Sequence, residues 1–232
     1  MNIKFSLIIP CFNEGSNLLP LLKKCQDIFI RHDVEVIFVN NGSVDNSGEL
    51  LKTNLSGISN VKIVTLKVNK GYGYGIKRGV EQASGAVIGW THADNQTNAL
   101  DFLHAINFFN DTNSNFFVKG LRNKRTLADN FFTFGMSLFE TLLFRKFFWD
   151  INAQPTLMKK KFYKSLKNIP NDFSIDLFFY YHAKKNNLPI KRLPVDFHPR
   201  LFGTSSWNSG FSSRLKFSVR TIKYSFRLLY DL

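Results

Sequence analysis

The sequence predicts an α/β protein with a largely parallel sheet and helices on both of its faces. Three observations carry that expectation. Short apolar runs alternate with segments of helical period through the N-terminal half. Polar turns containing Asn or Gly follow those runs, as they do where strands of a parallel sheet give way to helices. The 232 residues, 44% hydrophobic and 21% charged, fit one large core and are short for two.

Phe5–Pro10 is a short apolar run closed by a proline, as a buried strand would be. Asn17–Ile30 sets Leu18, Leu21, Leu22, Cys25 and Phe29 on one helical face. Val34–Val39 is a second strand, rich in β-branched residues; Asn41-Gly42-Ser43 breaks it, and Asp45–Leu55 restarts a helix. Val61–Leu66 is a third strand, Gly71–Ala83 a glycine-rich turn opening a helix, and Ala86–Thr91 a fourth strand. The second half is less regular. Asn130–Trp149 is aromatic and apolar but carries Glu140, Arg145 and Lys146, which places it on a surface rather than across a bilayer. Asn152–Met158 is expected as a strand, Phe173–Lys185 as a helix and Pro189–Phe197 as a strand.

Ligands of such sheets sit at the carboxyl ends of the strands. That rule selects Cys11–Glu14, Asn40–Ser43, Asn69–Gly75 and His92–Gln96.

Composition removes several function classes. Two cysteines, Cys11 and Cys25, exclude a disulfide-rich scaffold and a four-cysteine zinc site, and suggest a reducing compartment. No secretory signal is expected at the N-terminus, where Lys4 precedes an apolar run interrupted by Pro10. No run of 18 uninterrupted apolar residues predicts a transmembrane helix. Residues 1–116 hold ten Lys/Arg and ten Asp/Glu, so the net charge of +14 lies in residues 117–232, with 17 of the 25 phenylalanines. Phenylalanine beside basic charge favours an anionic membrane surface over nucleic acid, for which no reading module is present.

Two motifs have alternative readings from the residues alone. Gly71-Tyr72-Gly73-Tyr74-Gly75 resembles a dinucleotide loop, but Ile76 and Arg78 stand where its third glycine would be, and it follows the third strand rather than the first. The other reading is a tight turn that lets a helix pack close to the sheet, its amides facing a phosphate. In His92-Ala93-Asp94-Asn95-Gln96, alternation sends His92, Asp94 and Gln96 to one side, where they could hold magnesium or manganese. Asp94 or Asn95 as a helix N-cap is the alternative.

Further segments carry a family resemblance. Ser6-Leu7-Ile8-Ile9-Pro10-Cys11-Phe12-Asn13-Glu14 resembles the opening strand and loop of family-two glycosyltransferases, S-V-V-I-P-x-Y-N-E. Val39-Asn40-Asn41-Gly42-Ser43-Val44-Asp45 is similar to their V-D-D-G-S-x-D, and Asn69-Lys70-Gly71 to the start of N-x-G-x-G-x-A. His92–Gln96 takes the place of the D-A-D-x-Q metal motif of the polyprenyl-phosphate (dolichol-phosphate mannose synthase-like) sugar transferases. Gly120-Leu121-Arg122 resembles G-x-R, Asp150 the aspartate before the acceptor-side strand, and Arg200–Ser205 the R-x-x-G-x-S segment.

The resemblance implies a GT-A type, Rossmann-like fold and transfer of a sugar from a nucleotide diphosphate-sugar to a polyprenyl phosphate, with inversion. Pro10, Asn13, Glu14, Asn41 and Gly71 would line the nucleotide pocket. His92, Asp94 and Gln96 would hold a divalent cofactor, Mg2+ or Mn2+. Arg122 and Arg200 would address phosphate oxygens through paired guanidinium donors. Asp94, Arg122, Asp150 and Arg200 are thus the expected catalytic residues. Three positions depart from the pattern: Asn40 and Asn41 replace both aspartates of V-D-D, His92 replaces the first metal-motif aspartate, and Ser206 replaces a frequent lysine. An inactive sugar-nucleotide-binding homologue is therefore one alternative.

A second alternative is a transferase acting on a saccharide hydroxyl in surface polysaccharide synthesis. A phosphate acceptor is already largely ionised and needs no strong base, whereas a hydroxyl needs a positioned carboxylate, first Asp150 and then Asp176.

Two regions are expected: a domain over residues 1–210 and an amphipathic helix over 211–232. In that helix Leu215, Val219, Ile222, Phe226 and Leu229 form an apolar stripe beside Lys216, Arg220, Lys223 and Arg227. A cytoplasmic protein held peripherally on the inner membrane face is the expected location. A second copy of the chain or a membrane protein is a further expected partner.

Overall fold

The computed structural model describes residues 2–109, 115–124, 127–203 and 211–230. In chain order its elements are β1 (Phe5–Cys11), α1 (Gly15–Lys24), α2 (Gln26–Phe29), β2 (Val34–Asn41), α3 (Ser47–Leu55), β3 (Val61–Leu66), α4 (Tyr72–Gln82) and β4 (Val87–Trp90). Then follow α5 (Asp101–Ile106), β5 (Phe117–Asn123), α6 (Leu127–Phe144), β6 (Thr156–Lys159), α7 (Lys160–Ser165), α8 (Ser174–Lys185), β7 (Ile190–Asp196) and α9 (Phe211–Tyr230).

The strands form one sheet in the order β3-β2-β1-β4-β6-β5-β7. Every pairing is parallel except those of β6, which runs antiparallel to β4 and β5. The expected mostly parallel α/β sheet is present, with one reversed strand in its middle. Alternation divides the core: Leu7 and Ile9 of β1 enter one apolar cluster, while Ile8 enters the cluster on the other face.

Several boundaries differ from the sequence expectation. The helix expected over Asn17–Ile30 is two, α1 and α2, divided at Cys25, whose N–H reaches both the Leu21 and Leu22 carbonyls. The strand expected over Asn152–Met158 begins only at Thr156. The proline before it, Pro155, has no N–H to give to a ladder. Strand β5 and the short helices α5 and α7 had no sequence expectation.

The Gly71–Gly75 segment behaves as a close-packing turn. Gly71 has φ +111°, and a Cβ there would lie 2.3 Å from the Asn171 carbonyl oxygen. At Gly79 a Cβ would fall 2.5 Å from Ile8 Cγ2, so the missing side chain brings α4 against β1.

Among the described residues no helix is long and apolar enough to cross a membrane. Helix α6 lies at the surface, as expected, and α9 packs against α6 and α8. The side of α9 that is buried holds Ser225 and Leu228, whereas Leu215, Val219 and Phe226 of the expected apolar stripe are exposed.

Ser225 Oγ donates to Glu140 Oε1 at 2.6 Å, and Glu140 Oε2 is buried with no partner among the described residues. Burial pushes the Glu140 carboxyl up to about 7. The folded protein therefore keeps a proton that an ordinary glutamate releases near pH 4.3. The stability tied to this group is complete below that pH and is lost as pH rises through about 7. Denaturant midpoints at pH 5.5 and pH 8 should show Glu140→Gln escaping a loss of about 2 kcal/mol that wild type suffers.

Candidate functional site

The carboxyl ends of β1, β2 and β4, the turn into α4, the end of β5 and the segment after β7 converge on one cavity of about 350 Å3. Pro10, Glu14, Asn41, Gly71, His92, Asp94, Gln96, Arg122 and Arg200, all expected site residues, line it.

Its anionic end is built by Glu14 and Asp94, from the loops after β1 and β4. Arg200 Nη2 donates to both, to Glu14 Oε1 at 3.1 Å and to Asp94 Oδ2 at 3.2 Å. Asp94 Oδ1 accepts from the Gln96 N–H at 3.1 Å, and Glu14 Oε2 from Asn17 Nδ2 at 2.6 Å. Burial raises the Glu14 carboxyl above its ordinary value, against the opposing pull of Arg200. Two carboxylates thus meet on one cation, while Arg200 Nε is buried without a partner among the described residues.

His92 stacks on Tyr72 at 5.1 Å, and Tyr72 stacks on Phe173 at 4.7 Å. Burial lowers the His92 pKa, so at neutral pH the imidazole is uncharged and keeps a nitrogen lone pair. Gln96 Nε2 donates to the His198 carbonyl at 3.2 Å, which leaves its amide oxygen for another partner. Among the described residues no three His, Cys, Asp or Glu side chains are grouped as a metal cage. One carboxylate, one neutral imidazole and one amide oxygen suit a hard cation whose other ligands are phosphate oxygens and water. The guanidinium shared by Glu14 and Asp94 marks where positive charge is already favoured.

Asn41 commits its amide nitrogen to the Gly71 carbonyl at 3.0 Å and to Asn69 Oδ1 at 3.3 Å. Its oxygen is buried without a partner among the described residues, an acceptor for a ligand N–H or hydroxyl.

Arg122 is held by Asp150. The Asp150 carboxylate accepts the Arg122 backbone N–H and Nε at 2.8 Å each, and Nη2 as well. The guanidinium carbon lies 5.1 Å from the centre of the Phe197 ring.

Residues 6–151, more than half of the chain, match the family described as Glycosyl transferase family 2. The chain belongs to that family. One relative is the undecaprenyl-phosphate 4-deoxy-4-formamido-L-arabinose transferase of Pseudomonas fluorescens (strain Pf0-1). It is 35% identical over 95 residues, 39% of this chain and 28% of the relative. Another is the dolichyl-phosphate beta-glucosyltransferase of Dictyostelium discoideum, 30% identical over 112 residues, 44% of this chain and 34% of the relative. The match thus spans about a third or less of these curated relatives' length.

Among solved structures, the chain is similar to glucosyl-3-phosphoglycerate synthase of Mycobacterium tuberculosis in complex with Mn2+, UDP and glucosyl-3-phosphoglycerate. The TM-score is 0.72 at 14% identity, covering 96% of this chain and 80% of that one. A mannosyltransferase of Pyrobaculum calidifontis in complex with GDP-Man and Mn2+ gives 0.69 at 14% identity, covering 98% and 65%. At that identity the likeness shows the fold, and the fold is GT-A type.

Within this family-2 domain two expected residues are placed outside the cavity wall. Asn13 laces two loops together: its N–H donates to Ser43 Oγ at 3.1 Å and its Oδ1 accepts the Val44 N–H at 2.9 Å. Asp150 is absent from the lining, and its carboxylate is committed to Arg122. It positions Arg122 instead of standing free as a base. Asp176, the second base considered, lines the cavity but is also committed. It accepts from Lys119 Nζ at 2.6 Å, Trp90 Nε1 at 3.3 Å and Gln154 Nε2 at 2.9 Å.

Sequence reasoning missed Lys119, Gln154 and Tyr72. A lysine inside the apolar run Phe116-Phe117-Val118-Lys119 was the one signal that a buried counter-charge must exist. The residues expected at Thr204, Ser205 and Ser206 lie outside the described residues.

Part of the lining comes from two helices of the second half of the chain. Phe132 and Met136 of α6, with Ser218 and Thr221 of α9, complete the cavity. The part of the lining that holds Glu14, Asp94 and Arg200 therefore shares one cavity with two helices that leave apolar side chains on the surface.

Proposed function

We propose that the protein transfers a sugar from a nucleoside diphosphate-sugar to a polyprenyl phosphate in this cavity, with inversion at the anomeric carbon. The observation that carries the reading is the joining of the Asp94–Arg200–Arg122 wall to the α6 and α9 wall in one cavity. An anionic head and an isoprenoid tail would find charged and apolar lining in the same cavity. The relatives named for undecaprenyl and dolichyl phosphates support the acceptor class, and the mannosyltransferase holding GDP-Man and Mn2+ supports the donor class.

Asp94, His92 and Gln96 would hold a divalent cation. When bound, such an ion neutralises the diphosphate that leaves. Glu14, Asn41 and Gly71 would seat the nucleotide, with the Asn41 oxygen accepting from base or ribose. Arg200 would exchange its carboxylate partners for phosphate oxygens, and Arg122, oriented by Asp150, would receive the acceptor phosphate. Neither Asp150 nor Asp176 is a free carboxylate, which disfavours a hydroxyl acceptor needing a base. The protein would work at the cytoplasmic face of the membrane, bound peripherally with α9 against anionic lipid.

Thermal stabilisation by a panel of nucleotide-sugars, with and without Mn2+ or Mg2+, tests the donor reading. No stabilisation by any of them would remove it. Incubation with a stabilising donor and undecaprenyl phosphate tests the acceptor, and the anomeric configuration of the product tests inversion. Arg122→Lys should reduce transfer to lipid phosphate about 10- to 100-fold, because lysine cannot both keep the Asp150 fork and present a second planar pair. Hydrolysis of the donor by water should change less, which an assay separating free nucleotide from glycosylated lipid would read.

A further inference from the structure

Helix α6 carries an exposed apolar row at Phe131, Phe134, Leu138 and Leu142, all on one side at helical spacing. Phe131 is 73% exposed and Leu142 70%, values at odds with a surface that meets only water. Between Asn130 and Phe144 the only charged residue is Glu140, which is fully buried. Helix α9 lies alongside, joined by the Ser225–Glu140 hydrogen bond and by Phe139 against Phe226 at 6.0 Å. It exposes Leu215, Val219 and Phe226 in its own row. Its sequence from Phe211 to Tyr230 holds five Lys or Arg and no Asp or Glu.

We infer that α6 and α9 form one composite surface that docks on an anionic lipid bilayer, with α6 as the element that enters the acyl region and α9 as its basic flank. The inference rests on the lipid-acceptor reading above and moves the apolar anchor from α9 alone to α6. Charge selects the occupant. A second copy of the chain would bring like charge against α9, where Lys216 and Lys223 are exposed, whereas lipid phosphates complement them. An uncharged apolar row beside a basic one matches the division between acyl chains and headgroups. The same two helices supply Phe132, Met136, Ser218 and Thr221 to the cavity wall, so a docked protein would present that wall beside the lipid.

Flotation of the full chain with vesicles of phosphatidylcholine, pure or mixed with phosphatidylglycerol, tests the surface. Wild type should float with the mixed vesicles and less at high salt. Phe131→Ser with Leu142→Ser should lower partitioning by about tenfold or more at either salt, since the apolar burial is gone. Lys216→Gln with Lys223→Gln should weaken binding at low salt. A Phe131→Trp reporter, which keeps the apolar surface, should shift its emission to the blue on vesicle addition. Unchanged flotation of the α6 variant, no shift from the reporter, or equal binding to pure phosphatidylcholine overturns the inference. So does sedimentation showing a wild-type dimer that the α6 substitutions dissolve. Turnover on a short, water-soluble prenyl phosphate should survive the α6 substitutions. Flotation without transfer to any lipid phosphate would remove the acceptor reading and leave the docking surface standing.

Discussion

Replacing Asp94 with alanine is expected to reduce sugar transfer by about a hundredfold to a thousandfold while leaving the fold in place. Asp94 is the only carboxylate among the three side chains assigned to the cation, so its loss leaves His92 and Gln96 as neutral donors. The structural penalty is small by comparison. The Gln96 N–H loses its acceptor, at a cost of about 1 kcal/mol, and Arg200 retains Glu14. Melting temperature should therefore fall by only a few degrees. Binding of Mn2+, followed by the resonance of the free ion, should weaken together with turnover. Full activity in the variant or in chelator would remove the cation from this site, and loss of activity with a collapsed melting curve would make Asp94 structural.

The cavity was legible because parallel strands deliver their loops to one edge. Once Phe5–Pro10, Val34–Val39, Val61–Leu66 and Ala86–Thr91 are strands of one sheet, Glu14, Asn41, Gly71 and Asp94 must share that edge. Local period sufficed for that step. It could not show that β6 inserts between β4 and β5, because an antiparallel partner is chosen by distant packing. Nor could it find β5, where Lys119 interrupts an apolar run and its counter-charge, Asp176, stands 57 residues further on. The pairing of Asp150 with Arg122 is equally non-local, so local spacing does not show which basic side chain this carboxylate meets. Helix α9 shows a different limit. Spacing reveals that an apolar stripe exists, but the turn of the helix that meets the domain is fixed by Glu140 on α6.

The largest effect on stability is expected at Asp176. Lys119 and Asp176 are both almost fully buried and meet at 2.6 Å across β5 and α8. Thr156 Oγ1 accepts from Lys119 Nζ at 2.7 Å, and Trp90 and Gln154 add donors to the carboxylate. Burial alone lowers the lysine pKa, and the carboxylate beside it opposes that shift. Asp176→Leu leaves an ammonium with one hydroxyl and strands two buried N–H donors. Removing one partner of a buried pair costs about 3–5 kcal/mol, a large fraction of the roughly 5–15 kcal/mol that holds a domain folded. Lys119→Met should cost a similar amount, for the mirror-image reason. The double replacement Lys119→Met with Asp176→Leu removes both charges and should recover most of the loss, because paired apolar groups of similar volume are often neutral. Urea denaturation of the four proteins gives the coupling directly. If the double variant is destabilised by the sum of the two single losses, the pair is not acting as a unit, and the network around Thr156 and Gln154 must hold β5, β6 and α8 together without it.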